Sequence, residues 1–339
     1  MHLPARISPS GTTGAACSPR RSGATCSCAG AWPGGATTAA GALCSCMDCG
    51  RLETGPPGSN PSLQPSHPET MKPNQILLTN DDGIASPGLW TAAKALSSLG
   101  YVNVVAPRDQ FSGAGRSLPY TSDGLISAQT MHVNGQDWTV YAVGGTPAQA
   151  VLHAVLEILP ERPMLAVSGI NYGENLGTGI TISGTVGAAL EAAALGIPAL
   201  AVSQETGREF HFTHSTEVDF SAAGYFTAYF GRLLIEKRLP TDVHVLKIDI
   251  PSGATPDTPW QITRLSRITY YEPVPPQRDS WEQPGIVSYR VSGDPADDQV
   301  DSDVYAVRVK RIVSVTPLSL DLTSRVEFSE LDKLLRDRG

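Results

Sequence analysis

The chain from residue 75 onwards alternates short apolar runs with segments in which apolar residues recur every three or four positions. The runs have the length of strands, and the segments between them have the spacing of amphipathic helices. The predicted strands cover residues 76–78, 102–106, 164–167, 197–202, 243–250 and 304–315, and the predicted helices cover 89–99, 147–159, 183–195, 215–237 and 328–338. Strands that alternate with such helices form β-α-β units. The pattern therefore predicts a three-layer α/β fold with a mainly parallel sheet.

Two stretches depart from this alternation. Residues 126–143 are predicted to form a β-hairpin, because Asn134-Gly135 is a turn signal between two extended runs. Residues 251–303 are richer in proline, glycine and acidic side chains, which favours long loops with short extended pieces. Residues 251–339 are accordingly treated as a C-terminal extension of the domain.

The first seventy residues differ in composition from the rest of the chain. All six cysteines lie in the first fifty residues, and core-building aliphatic side chains are scarce before residue 70. The cysteine spacing could hold a soft metal, but it lacks paired C-x2-C motifs. We predict that residues 1–70 are a disordered leader, or an upstream stretch from a misplaced start, and that a chain beginning at Met71 folds and acts like the full chain.

Charge and hydropathy exclude two classes of function. The chain has 33 acidic and 25 basic residues and a net charge of -8, so no basic surplus is present to bind a nucleic acid polymer. The apolar runs stop well short of the roughly 18 residues that span a bilayer. We therefore expect a cytoplasmic protein without a membrane segment.

The candidate chemistry follows the predicted strands. The sequence N-D-D-G at 80–83 places two adjacent carboxylates after the first strand. A divalent cation is the usual way to hold such a pair together, although a turn with a helix N-cap explains the same residues equally well.

Two further loops follow other strands of the same predicted sheet. The loop after the second strand contains Ser112, which is followed by the small residues Gly113, Ala114 and Gly115, and Arg116, which could reach a phosphate oxygen. The loop after the strand 164–167 contains Asn171, and the sequence S-G-T at 183–185 begins a helix whose free N–H groups favour an anion. A flexible loop and an ordinary serine cap are the alternatives.

The three loops would converge at one edge of a parallel sheet, where α/β proteins bind their ligands. Their joint donor set contains only oxygen, which suits magnesium or manganese and not zinc. No P-loop or dinucleotide-binding glycine motif follows these strands. His211 and His214 could also bind a metal, but an accidental pair in an exposed loop is favoured because no third ligand lies near in sequence.

These motifs together resemble the SurE family of survival-type 5'/3'-nucleotidases, in order from about residue 75 to residue 323. The motifs that carry the resemblance are N-D-D-G at 80–83, S-G-A at 112–114, G-T-P at 145–147, S-G-I-N at 168–171, G-E-N at 173–175, S-G-T-V at 183–186, T-P-L at 316–318 and D-L-T at 321–323. Residues 1–70 lie outside the resemblance.

The resemblance implies a metal-dependent phosphomonoesterase with a Rossmann-like fold that hydrolyses nucleoside 5'- and 3'-monophosphates through a metal-activated water. It implies one divalent cation per subunit, Mg²⁺ or Mn²⁺, and a homodimer or homotetramer to whose assembly residues 251–339 contribute. The implied metal ligands are Asp81, Asp82, Ser112 and Asn171, with Asp81 and Asp82 also catalytic. The implied phosphate ligands are Ser183, Gly184, Thr185 and Asn175, of which Asn175 also supports the metal ligands, and the loop chemistry adds Arg116.

Two positions differ from the family pattern. Gly115-Arg116 stands where the family commonly has Ser-Asn, and Ile182 stands where a tyrosine is often found. These changes affect the expected contacts with the leaving group and its base. Two alternatives remain open: a noncatalytic nucleotide or phosphate sensor on the same scaffold, and a phosphatase that acts mainly on polyphosphate or another phosphoester.

Overall fold

The structure, a computed structural model, describes residues 74–291 and 293–337. These residues belong to the unit Pro68–Gly339. The predictions for residues 1–70, including those for the six cysteines, fall outside the described residues.

Eleven strands and six α-helices are found in the described part of the chain. The strands are β1 Gln75–Thr79, β2 Tyr101–Pro107, β3 Ile126–Val133, β4 Gln136–Val143, β5 Leu165–Tyr172, β6 Ala199–Gln204, β7 Val245–Ile250, β8 Trp260–Ile262, β9 Tyr271–Val274, β10 Ser288–Val291 and β11 Val313–Leu318. The helices are α1 Pro87–Leu96, α2 Pro147–His153, α3 Gly184–Ala194, α4 Ser221–Glu236, α5 Asp303–Arg308 and α6 Phe328–Arg336.

Nine strands form one sheet in the order β3-β4-β2-β1-β5-β6-β7-β11-β8. Strands β4, β2, β1, β5, β6 and β7 are parallel, whereas β3 and β11 run antiparallel to β4 and β7. Apolar residues of α1 and α4 pack on one face, and those of α2 and α3 pack on the other. The predicted three-layer, mainly parallel α/β fold is confirmed.

Local sequence signals explain where several elements begin and turn. Helix α2 begins after a capping box in which the Thr146 hydroxyl accepts from the N–H of Gln149 and the Gln149 side chain accepts from the N–H of Thr146. In the predicted hairpin, Asn134 and Gly135 have φ of 50° and 77° and form the turn between β3 and β4. Two left-handed residues in succession are what a tight hairpin of this kind requires.

The structure corrects two predicted strand boundaries. Strand β5 continues to Tyr172. The S-G-I-N motif therefore lies in the second half of this strand and not in a loop after it. The predicted strand 304–315 is wrong: its first part is helix α5, and only Val313 onwards is strand. The Ser302 hydroxyl caps α5 by accepting from the N–H of Tyr305, and Val304 and Val307 share the buried face. An alternating apolar pattern over so few residues fits both periods.

The C-terminal extension contains the expected short extended pieces. Strands β9 and β10 form a separate two-stranded antiparallel ribbon, and β8 adds to the edge of the large sheet. Helix α6 has no buried residue. No helix among the described residues is both long and apolar enough to cross a membrane.

Candidate active site

A cleft of about 550 Å³ lies at the carboxyl ends of the central strands. Its walls come from the segment after β1, the loop after β2, the end of β5, the start of α3 and the β9–β10 ribbon. Asp81, Ser112, Asn171 and Ser183 line its polar side, so the structure brings together residues from all three predicted loops.

Asp81 and Asp82 are almost completely buried beneath this cleft, with exposed fractions of 4% and 1%. One oxygen of Asp81 accepts from the Thr185 hydroxyl at 2.5 Å. Asp82 accepts from the side-chain amide of Gln110 at 3.1 Å and from the main-chain N–H of Tyr172 at 3.2 Å. All of these partners are neutral groups.

The electrostatics of the pair follow from that arrangement. Burial raises the pKa of Asp81, and burial together with the neighbouring Asp81 charge raises the pKa of Asp82 well above its ordinary value. Two adjacent carboxylates in a low dielectric are costly when both are ionised. The pair therefore favours a bound proton or, more effectively, a bound cation.

Gln110 connects the second loop with the carboxylates. Its amide nitrogen lies 3.1 Å from Asp82 Oδ1, 3.0 Å from the Ser112 hydroxyl and 2.8 Å from the main-chain oxygen of His211. One amide has two hydrogens for these three acceptors, so it connects Asp82, Ser112 and the main chain of His211 without satisfying all three fully at once. Sequence reasoning did not single out Gln110, since a glutamine in a loop carries no distinctive signal.

Asn171 and Asn80 each have an amide oxygen that accepts no hydrogen bond from the described residues. The amide nitrogen of Asn171 donates to the main-chain oxygen of Gly173 at 2.7 Å, which leaves its oxygen to face a ligand. The amide nitrogen of Asn80 donates to the main-chain oxygen of Gly83, and among the described residues its buried oxygen has no partner. An unpaired buried acceptor is costly and indicates a group that a ligand or its waters satisfy.

The residues present fit a hard divalent cation. Asp81, Asp82, Ser112 and Asn171 offer two carboxylates, a hydroxyl and an amide oxygen, the donors that Mg²⁺ and Mn²⁺ prefer. Within the described residues there is no cluster of three His, Cys, Asp or Glu side chains that could hold a metal. The donor set is made of oxygen atoms, whereas structural zinc sites are built mainly from cysteine and histidine.

The S-G-T sequence at the start of α3 divides its functions. The Ser183 hydroxyl accepts from the N–H of Val186 as a helix cap, and Ser183 also lines the cleft. A Cβ on Gly184 would lie 2.7 Å from the Cβ of Asp81, so glycine is needed for the helix to approach the carboxylate. Thr185 is fully buried and its hydroxyl points at Asp81, so the structure places it as a carboxylate partner.

The other two predicted phosphate ligands differ in position. Asn175 lines the cleft and donates through its amide nitrogen to the Ser203 hydroxyl at 2.8 Å. Arg116 pairs with Glu191 of α3 at 2.6 Å, and it is not among the residues that line the cleft. Its role as a phosphate ligand stays a prediction, which requires that it exchange Glu191 for the phosphate.

The two histidines lie at the site with separate partners. His211 lines the cleft with its Nδ1 2.9 Å from the Tyr289 hydroxyl, and burial lowers its pKa. His214 donates from Nε2 to the main-chain oxygen of Asp82 at 2.9 Å. His211 thus contacts the aromatic wall of the cleft, and His214 contacts the main chain of Asp82. Their i, i+3 spacing in the sequence could not reveal these separate contacts.

The opposite wall of the cleft is aromatic and belongs to the C-terminal extension. Tyr271 donates its hydroxyl to the main-chain oxygen of Glu174 at 2.7 Å, and the ring of Tyr289 contacts that of Tyr271 edge to face. The guanidinium of Arg208 lies 4.8 Å from the centre of the Tyr289 ring. These residues were not predicted as site residues, because their segment carries few regular elements.

Comparisons with known proteins identify the family and agree with the fold. The family model for survival protein SurE matches residues 76–272. A 5'-nucleotidase SurE of Thermococcus kodakarensis is 42% identical over 262 residues, 77% of this chain and 98% of the relative, and one of Methanosarcina barkeri is 40% identical over 267 residues, 77% of this chain and 97% of the relative. The crystal structure of the SurE protein from Aquifex aeolicus superposes with a TM-score of 0.60 at 31% identity, covering 78% of this chain and all of that one.

Proposed function

Because the chain belongs to the SurE family, we propose that it is a 5'-nucleotidase, a phosphoric monoester hydrolase that cleaves nucleoside monophosphates to nucleoside and phosphate. The observation that carries the proposal is the buried Asp81–Asp82 pair, whose charge the contacting groups do not neutralise, at the floor of a cleft beside a helix N-terminus. Hydrolysis of 3'-monophosphates and dependence on Mg²⁺ or Mn²⁺ are part of the same proposal.

The cation would be held by Asp81, Asp82, Ser112 and Asn171. When bound, it supplies Lewis-acid polarisation of the phosphoryl group and makes water more acidic. The two carboxylates contribute the charge that selects a cation for this position, and Gln110 lies within hydrogen-bonding distance of both Asp82 and Ser112. Asp81 or Asp82 is the candidate group to accept the proton of the attacking water.

The phosphoryl group would lie against the start of α3. The helix dipole at the start of α3, where Ser183 lines the cleft, favours the negative charge that develops on the phosphoryl oxygens. The amide nitrogen of Asn175 has two hydrogens, of which Ser203 takes one, so the second is available to a phosphoryl oxygen. In the reaction a water oxygen bonds to phosphorus, the bond to the nucleoside oxygen breaks, and that oxygen leaves with a proton.

The nucleoside would occupy the aromatic side of the cleft, between Phe212 and the wall formed by Tyr271 and Tyr289. Ile182, 60% exposed, also lines the cleft. A planar base gains binding free energy by stacking on aromatic side chains. Polyphosphate has no ring and cannot make this contact. This aspect of the cleft favours nucleotides over polyphosphate as the main substrate.

The test is phosphate release by the full chain from nucleoside 5'- and 3'-monophosphates, polyphosphate and a sugar phosphate, each with Mn²⁺, with Mg²⁺ and with a chelator. We expect cation-dependent release, fastest from 5'-monophosphates, which is lost in Asp82→Asn and retained in Asp137→Asn. Asp137 is a matched control because it is an exposed acid on β4 outside the cleft. Faster release from polyphosphate would reassign the substrate, and nucleotide binding without any release would favour a sensor.

Assembly and location are the remaining parts of the proposal. We propose a homodimer or homotetramer in which residues 251–339 take part, supported by the exposed apolar side chains of Leu331, Leu334 and Leu335 on α6. Light scattering of the full chain and of a variant with these leucines changed to serine tests it, and a monomeric full chain would contradict it. Cytoplasmic location stays a prediction.

A further inference from the structure

A second cluster of buried charges lies beneath the cleft, and no step of the proposed reaction uses it. Lys247 and Asp249 point to the same side of β7, and Asp303 is the first residue of α5; all three are 0% exposed. The ammonium group of Lys247 contacts the carboxylate of Asp249 and lies 3.1 Å from that of Asp303. These three residues are called the lysine triad below.

The lysine triad is ionic despite its burial. Burial raises the pKa of Asp249 to about 6. Burial opposes the charge of Lys247, but the adjacent carboxylates of Asp249 and Asp303 outweigh it and raise the pKa of the ammonium group. At neutral pH the lysine is therefore charged and has an acidic partner on each side.

The groups that the triad holds belong mainly to one loop of the cleft. We call residues 174–177, which follow β5, the Asn175 loop. Asp249 accepts from the main-chain N–H of Asn175 at 2.8 Å, and Lys247 donates to the main-chain oxygen of the same residue at 2.9 Å. Asp303 accepts from the N–H of Gly177 at 2.9 Å.

Asn175 is thereby held at three points. The triad binds both sides of its main chain, and Ser203 of β6 accepts from its side chain at 2.8 Å. These contacts leave no freedom to rotate the residue as a whole, so the second amide hydrogen keeps one direction. The loop itself has no helix or strand hydrogen bonding that could do this between β5 and the turn at Gly177.

A buried cluster of charged side chains has a high desolvation free energy. Desolvation of three charges costs more than well-packed apolar side chains of the same volume would, so such clusters are weak sources of stability. What an apolar cluster cannot provide is a donor and an acceptor aimed at one main-chain segment. The arrangement is therefore explained by the orientation of the Asn175 loop.

We propose that Lys247, together with Asp249 and Asp303, is a positioning group that orients Asn175 toward the phosphate of the substrate. This inference rests on the proposed function, in which Asn175 donates to a phosphoryl oxygen. Lys247 acts through Asn175 and does not touch the substrate. The direction of the Asn175 side chain matters, because a small displacement of a group that contacts the reacting centre removes much of its contribution to the rate.

The experiment is a double-mutant cycle on the binding of inorganic phosphate to the full chain with Mn²⁺, measured by calorimetry below the unfolding temperature of every variant. We expect Lys247→Met to weaken phosphate binding about tenfold in the wild-type background and to have no further effect in Asn175→Ala. Equal loss in both backgrounds would overturn the proposal, because Lys247 would then act independently of Asn175.

The matched control is Thr316→Val. Thr316 lies directly opposite Lys247 on β11 and is buried in a hydroxyl cluster with Thr263 and Ser314; its hydroxyl contacts these two residues and not the Asn175 loop. It perturbs buried polar contacts at the same place in the sheet, so it reports what loss of stability alone does. We expect its phosphate affinity to stay within twofold of wild type, and a tenfold loss there would overturn a specific role for the triad.

Asp249→Asn tests the same proposal if the Lys247→Met variant does not fold. Asparagine keeps the shape and one acceptor, so it can serve the N–H of Asn175 or the ammonium of Lys247 but not both. We expect threefold to tenfold weaker phosphate binding, again absent in Asn175→Ala, and undiminished binding would overturn the proposal. The binding experiment uses inorganic phosphate and no ester. Failure to hydrolyse nucleotides would therefore contradict the proposed function, whereas the orientation of Asn175 is tested by phosphate binding alone.

Discussion

Two pairs of buried aspartates in the described part of the chain differ in their counter-charge. Asp81 and Asp82 contact a hydroxyl, a side-chain amide and a main-chain N–H, whereas Asp249 and Asp303 share the ammonium group of Lys247. All four residues are at most 4% exposed. The first pair lacks a counter-charge from the groups that contact it, and the second has one.

The difference teaches how burial can be used in two ways. A carboxylate pair without a protein cation is unstable by itself and therefore selects a cation from solution. A pair with its own lysine is complete, and its remaining lone pairs bind the main chain of a neighbouring loop. The first arrangement is suited to chemistry, and the second is suited to holding that chemistry in place.

The largest expected effect tests the first pair. Asp82→Asn removes charge where the cation would bind, so turnover should fall by about 10²- to 10³-fold, since the loss of several kcal/mol of charge stabilisation has that effect on a rate. Steady-state kinetics with saturating Mn²⁺ measures it, with Asp137→Asn as control. Turnover within threefold of wild type would remove Asp82 from the site.

The same substitution in the second pair should act on stability. Asp303→Asn leaves Lys247 underpaired in the interior and should lower the free energy of unfolding by about 3 kcal/mol. Asp301→Asn is the control, because Asp301 forms a half-exposed pair with Arg264 only two residues away and should cost less than about 1 kcal/mol. Urea unfolding measures the free energy of unfolding of both variants. Equal losses would show that the buried contacts of Asp303 stabilise the protein no more than the half-exposed pair of Asp301 does.

A bound cation should stabilise the protein through the first pair alone. At a concentration of about 100 times its dissociation constant, Mn²⁺ should raise the free energy of unfolding by about 2.7 kcal/mol. Thermal unfolding with and without chelator measures the shift. We expect it in wild type and in Thr316→Val but not in Asp82→Asn, and an equal shift in Asp82→Asn would place the cation elsewhere.

The smallest expected effect is a pH dependence at the second pair. Burial raises the pKa of Asp249 to about 6 from an ordinary value of 3.8, so the folded state binds this proton more tightly than the unfolded state. The resulting stabilisation is complete below pH 3.8 and is lost as the pH rises through 6. Asp249→Asn lacks this proton, so wild type should gain on the order of 2 kcal/mol over the variant between pH 7 and pH 4.

Urea unfolding of wild type and Asp249→Asn at four pH values across this range measures the difference. Subtraction of the two curves cancels the titration of groups that both proteins share. A difference that stays constant with pH would mean that Asp249 titrates in the folded state as it does in the unfolded chain.

Much of the fold follows from local sequence. The apolar runs and helical periods predicted the parallel strands and their helices, and Thr146, Ser183 and Asn134-Gly135 marked starts and turns that need only neighbouring residues. The motifs also predicted which loops meet, because the carboxyl ends of parallel strands lie at one edge. Helix α5 was missed, since its cap at Ser302 competes with an alternating pattern that favours a strand.

The sequence by itself therefore determined the fold class, the edge at which the candidate site lies, and the convergence of Asp81, Asp82, Ser112 and Asn171 at that edge. Only the tertiary structure decided that the Thr185 hydroxyl turns to Asp81, that Arg116 pairs with Glu191, and that Lys247 is buried between two carboxylates. Periodicity and capping act over a few residues, whereas these contacts join positions 104, 75 and 56 residues apart. Burial of a charge depends on what the rest of the chain packs around it, which no local pattern contains.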